Sequence, residues 1–172
     1  MRKALLLIAL SALSMGALAT NVQVWVTDKD GRPVADAVVV IESSNPGIPK
    51  HPLPRQATIT QEKMQFVPAL TVVPVGARVR FINNDPWTHH VRGSAAGAAQ
   101  FNDTGGGFQM MLEGKTDGQP ARSSEVTFDK PGSTSAVLLG CFIHGSMRGY
   151  VYVSDSPWAV KTGADGVATL DD

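Results

Sequence analysis

Beyond residue 20 the chain runs in short apolar stretches of period two, broken by clusters of glycine, proline, asparagine and aspartate. Val22-Gln23-Val24-Trp25-Val26-Thr27 predicts a half-buried strand, Asp28-Lys29-Asp30-Gly31 a turn, and Pro33 to Ile41 a second, valine-rich strand. The acidic residues of that turn lack the full ligand pattern of a calcium loop and no helices flank them, so it reads as a plain turn. Strand patterns return at residues 57–60, 66–67, 70–73 and 78–82, and again at 124–128 and 135–139. In Arg78-Val79-Arg80-Phe81, Val79 and Phe81 are expected to face a core while the arginines face water. Ser43 to Arg55 reads as a surface connection, and Gly93 to Gly118, rich in glycine and alanine, as a long irregular excursion. After the strand-like Tyr150 to Val153, the tail predicts a turn and a short strand. No long stretch shows the 3.6-residue period of an amphipathic helix, so the chain is expected to be all-β, an antiparallel sandwich.

The first residues do not belong to that pattern. Arg2 and Lys3, the apolar run Ala4 to Leu13 and the small-residue site Ala17-Leu18-Ala19 predict a secretory signal over residues 1–19. The apolar run is too short for a permanent membrane span. A protein exported to the periplasm and free of a membrane span follows. Without Arg2 and Lys3 the balance is 13 basic to 15 acidic residues, which argues against nucleic acid as a partner.

Export changes the meaning of the single cysteine. An oxidising compartment pairs its cysteines, and Cys141 has no partner. Three residues on stands His144, and three further Met147. A thiolate, an imidazole and a thioether in one loop, joined by a second imidazole, make the donor set of a single electron-transfer copper. The second imidazole is expected from His89 or His90; neighbours on an extended segment point to opposite faces, so one can reach the metal and spacing does not say which. His51, flanked by Lys50 and Pro52 in a loop, is given no role. Met110 and Met111 read as gap-fillers rather than a second copper site.

Two motifs carry a resemblance. Phe81-Ile82-Asn83-Asn84-Asp85-Pro86-Trp87-Thr88-His89-His90-Val91 resembles the plastocyanin stretch Phe-x-Asn-Asn-x-x-x-Pro-His-Asn-Val. The resemblance implies His89 as the ligand and puts His90 where the family has an asparagine that ties the two ligand loops together. Cys141-x-x-His144-x-x-Met147-Arg148-Gly149 resembles the short ligand loop of amicyanin, including its Met-Arg-Gly ending. Leu138-Leu139-Gly140 replaces the aromatic-rich strand usual before the cysteine. The flanks are similar to something else: residues 22–41 look like the first hairpin of a carboxypeptidase-regulatory-like β-domain, and 162–170 like a later strand of it. The combination is similar to cupredoxins associated with methylamine utilisation.

The resemblance implies a cupredoxin-like Greek-key β-sandwich with a small extra β element, and one type 1 copper held by His89, Cys141, His144 and Met147. It divides the chain into a signal (1–19), an N-terminal hairpin (20–44), a cupredoxin domain (57–153) and a tail (154–172) that pairs with 20–44. The implied function is a monomeric periplasmic electron carrier whose redox partners are of the dehydrogenase or cytochrome c type. A non-redox copper chaperone or sensor is the alternative. An enzyme with a second copper needs more histidines, and beyond His89, His90 and His144 only His51 is present.

Overall fold

Each alternating run becomes a strand in a computed structural model of the chain, which describes residues 21–44, 47–96, 107–130 and 136–171. The signal predicted at 1–19 lies outside the described residues. In chain order the first strands are β1 (Val22–Trp25), β2 (Val38–Val40), β3 (Gln56–Glu62), β4 (Gln65–Val67), β5 (Leu70–Pro74), β6 (Ala77–Asn83) and β7 (His89–Ala95). There follow β8 (Phe108–Leu112), β9 (Ser123–Phe128), β10 (Val137–Cys141), β11 (Arg148–Ser154), β12 (Ala159–Lys161) and β13 (Val167–Leu170). Among the described residues no helix is long and apolar enough to cross a membrane.

A four-stranded sheet, β4-β3-β6-β9, faces a five-stranded one, β5-β11-β10-β7-β8. Their inner faces meet in one core to which Ile59, Val79 and Phe81 contribute from the first sheet and Val91, Leu139 and Val151 from the second. As expected, Val79 and Phe81 are buried while Arg78 and Arg80 are exposed. This is the cupredoxin-like sandwich of the sequence reading, with one correction to its strand pairing. It is not purely antiparallel, because β3 lies parallel to β6 and β5 parallel to β11. Parallel neighbours need a long crossover between them, and here whole strands supply it.

A second correction concerns residues 93–118. The segment is not one irregular excursion, because β7 runs on to Ala95 and Phe108-Gln109-Met110-Met111-Leu112 pairs with it as the edge strand β8. Phe108, Met110 and Leu112 turn inward and Gln109 and Met111 outward, so the two methionines face opposite sides of the sheet. Gly93 makes room for this, since a Cβ there would overlap the Phe108 ring. That ring then packs on Phe81 and Phe128, at centroid distances of 5.6 and 5.9 Å.

The flanks pair across the ends of the chain. Antiparallel ladders join β1 to β13 and β12 to β2, and the turn between β1 and β2 is closed by the isolated bridge Thr27 to Pro33, which lies outside both strands. Thr162 clasps the two flanks: its buried hydroxyl donates to the Val34 carbonyl at 2.7 Å and accepts the Ala37 amide at 2.9 Å. Replacing Thr162 by the isosteric valine should lower unfolding stability by about 1–3 kcal/mol, since a largely buried donor and acceptor lose their partner. An unchanged urea midpoint for Thr162→Val would show that the clasp contributes nothing.

Candidate metal centre

Strand register brings the candidate residues together. Inward-facing positions on β10 are Val137, Leu139 and Cys141, so the thiol is the last core side chain of its strand. On the neighbouring β7, Cys141 stands opposite Val91, and His89 is the next inward residue beyond it. Between β10 and β11 the chain turns through residues 142–147, where the Met147 amide donates to the His144 carbonyl at 3.0 Å. That turn folds the His144 ring back over Cys141 and returns Met147 to the interior.

Three donor atoms result. Cys141 Sγ lies 3.7 Å from His89 Nδ1 and 3.7 Å from His144 Nδ1, and the two nitrogens are 3.0 Å apart. The point equidistant from all three lies about 2.0 Å from each, close to the bond lengths a transition metal makes to imidazole nitrogen (about 2.0–2.1 Å) and thiolate (about 2.3 Å). Among the described residues these three form the group of His, Cys, Asp and Glu side chains arranged to hold a metal ion. His89 is 0% exposed, Met147 1% and Cys141 5%, so water is kept from three sides. His144 is only partly buried and reaches the surface. The donor set, soft sulfur with two imidazoles, suits copper.

His90 is not part of the triangle. Its ring turns outward and packs on Phe142 at 5.0 Å. The two ligand loops are nonetheless tied at this position, because the Phe142 amide donates to the His90 carbonyl at 3.1 Å. Backbone thus supplies the tie that the resemblance assigned to an asparagine side chain.

Sequence reasoning missed Asp85, which figured there only as one residue of the stretch Phe81 to Val91 and was given no role. Its carboxylate is buried and accepts three hydrogen bonds: Lys63 N to Oδ1 at 2.6 Å, Met64 N to Oδ2 at 3.0 Å, and His89 Nε2 to Oδ2 at 2.8 Å. Burial alone pushes the Asp85 carboxyl up, but the Met64 amide, the His89 ring and the Lys63 amide outweigh it and hold the pKa below its ordinary value. The ionised carboxylate keeps the His89 proton on Nε2 and leaves Nδ1 with a free lone pair aimed at Cys141, the form a metal ligand needs. Asn83 braces the same turn: its Nδ2 reaches the carbonyls of Trp87, Leu112 and Glu113, and its Oδ1 accepts the Asp85 amide at 3.0 Å. The Asn83-x-Asp85-x-x-x-His89 spacing at a strand end was the available signal.

No protein-family model matches the chain, and no curated protein matches it. Solved structures similar to it include a proline-to-glycine mutant of amicyanin in its reduced Cu(I) form at pH 4, at 21% identity over 69% of this chain and 100% of that one, with a TM-score of 0.44. The amicyanin of Paracoccus versutus (Thiobacillus versutus) is 19% identical over 69% of this chain and 99% of its own, with a TM-score of 0.44. A methionine-to-alanine mutant of amicyanin in the Cu(I) form gives 21%, 69%, 100% and 0.45. A likeness at this level assigns no residue and no activity to the chain.

Asp85→Asn should destabilise the metal-free protein by about 1–3 kcal/mol, because an amide can satisfy only one side of the three converging donors. Equal urea unfolding curves for the variant and the parent chain would refute the role given to this carboxylate.

Proposed function

We propose that the chain is a type 1 copper protein that carries single electrons between redox partners in the periplasm. The observation that carries this reading is the buried triangle of His89 Nδ1, Cys141 Sγ and His144 Nδ1, already at metal-bonding size. Cys141 as thiolate, with His89 and His144, would hold the ion, and the buried thioether of Met147 would be a fourth, weaker donor. When bound, copper supplies a one-electron couple. The residues supply a site that does not have to reorganise: His89 is locked by Asp85, Cys141 by its strand, and His144 by the turn that Met147 closes. The partly exposed edge of His144, beside the exposed Ile143, is the natural contact for a partner of the dehydrogenase or cytochrome c type.

Several supporting points belong to the same proposal. The basic-apolar-small pattern of residues 1–19 supports export to the periplasm. Residues 57–153, which take in β3 to β11 but for one residue at each end, make the copper domain, while 20–44 and 154–172 make the added element. His51 sits 3.9 Å from Asp171 and His90 packs on Phe142, so neither is placed to build a second copper beside the first, which favours a carrier over an enzyme.

Adding Cu(II) to the mature protein should give an intense blue absorption and a narrow copper hyperfine splitting in the electron paramagnetic spectrum. Both should disappear in Cys141→Ser and His89→Ala and survive in His90→Ala. A colourless complex with ordinary wide hyperfine splitting would defeat the proposal. Blue protein that exchanges electrons only very slowly with a small redox protein would favour the chaperone or sensor reading.

A further inference from the structure

The outer face of the five-stranded sheet carries a second constellation. Strand alternation that turns Val91 and Cys141 inward turns His90 and Arg92 outward, and register sets Arg92 and Arg148 on either side of Gly140. Gly140 has no side chain to separate them, and Arg148 Nη1 lies 3.6 Å from where its Cβ would be. Just above this row, Phe142 is 58% exposed, yet its ring is held: His90 packs against it at 5.0 Å and the Arg92 guanidinium carbon lies 5.2 Å from its centroid. Met111 and Tyr150, also exposed, continue the surface on β8 and β11. A phenylalanine clamped in water by a cation and an imidazole is a prepared contact rather than leftover core.

Among the described residues the charge of this face is uncompensated. Strands β7, β8, β10 and β11 contain no aspartate or glutamate. Among the described residues neither Arg92 nor Arg148 has a carboxylate within ion-pair distance, and Glu113, just past β8, is answered by Arg122 at 3.6 Å. With 15 basic and 15 acidic residues in the whole chain, a local positive field here is a property of the surface and not of net charge. Two guanidiniums are too few for a nucleic-acid backbone, which needs an extended basic stripe. They suit carboxylates, which guanidinium grips in bidentate fashion.

We propose that this face is a lateral docking surface for an acidic protein partner, and that Phe142, joined by one peptide bond to Cys141, is its contact for electron exchange. The electron part rests on the copper reading; the docking part does not. In the exchange one electron leaves the partner and reduces the metal site, or the reverse, and no bond or proton moves.

The surface is tested on the mature chain as isolated, with hexacyanochromate(III) as a paramagnetic anion in nuclear magnetic resonance. Broadening should centre on Arg92, Phe142 and Arg148, weaken in Arg92→Gln/Arg148→Gln and vanish in Arg92→Glu/Arg148→Glu. Broadening centred elsewhere, or unchanged by charge reversal, would overturn the docking surface whatever the metal. On the blue protein, exchange with an acidic c-type cytochrome should be at least several-fold faster than with a basic one and should slow as salt is raised. Arg92→Glu/Arg148→Glu should invert that preference. Phe142→Ala should slow exchange with the acidic cytochrome several-fold while the absorption shows an intact site; an unchanged rate would overturn Phe142 as the contact. Protein that never turns blue would sink the copper reading instead, and the anion map would still decide the surface.

Discussion

A buried carboxylate with three donors converging on it is the constraint from which the rest of the site follows. An ionised group shut away from water at Asp85 would cost several kcal/mol without partners, so the fold has to deliver them. It does so from two directions. The β3–β4 turn presents the amides of Lys63 and Met64, both residues held at positive φ (54° and 58°), and the start of β7 presents His89. A two-residue hairpin loop of the I′ type needs that conformation at both its residues, and here the same turn aims both amides at the carboxylate. One carboxylate thereby joins a hairpin turn to an imidazole and aims the ring.

The same economy governs the sulfur. Cys141 needs no special device to face the two imidazoles, because it continues the inward row of Val137 and Leu139 at the point where β10 ends. What it needs is a neighbour whose inward row ends at the same level, and β7 supplies it with Val91 followed by His89. Two adjacent strands terminating together on the core side leave a gap lined by one sulfur and one nitrogen, which the ring of His144 closes from the loop. Because close-packed interiors resist deformation, a triangle built largely on strand ends stays near one size, and a site of fixed size is what the proposed exchange of an electron would require.

Much of this was legible in the sequence, and the parts that were not share a cause. Period-two alternation located most of the strands, and Cys141-x-x-His144-x-x-Met147 announced its chemistry by residue type alone. Alternation reports which residues face inward, however, and is silent on which strand lies beside which. Hence the parallel pairs β3–β6 and β5–β11 did not show, nor did the exchange of partners that sends β1 to β13 and β2 to β12. The strand β8 was hidden by its surroundings: Phe108-Gln109-Met110-Met111-Leu112 alternates, but it sits amid glycine and alanine and relies on the bare Gly93 opposite. Asp85 was missed because aspartate in an Asn-Asn-Asp-Pro stretch is usual turn chemistry, and only the tertiary fold shows that its carboxylate points to the inside.

Strand direction also decides where the added element can lie. Strand β3 begins at Gln56 and finishes at Glu62, just before the turn whose amides bind Asp85, so its start is at the pole opposite the metal triangle. Strand β11 begins at Arg148, beside Met147, and finishes at Ser154, again at the far pole. The N-terminal flank enters through the first of these ends and the C-terminal flank leaves through the second, so the two meet at the strand ends farthest from His144. There Ile41 accepts a hydrogen bond from Ser156 at 2.6 Å, and β1, β2, β12 and β13 assemble from both sides. An insertion at the other pole would bury the exposed edge of His144. The flanks can therefore add stability, or a surface of their own, while the ligand loops and the face bearing Phe142 stay open.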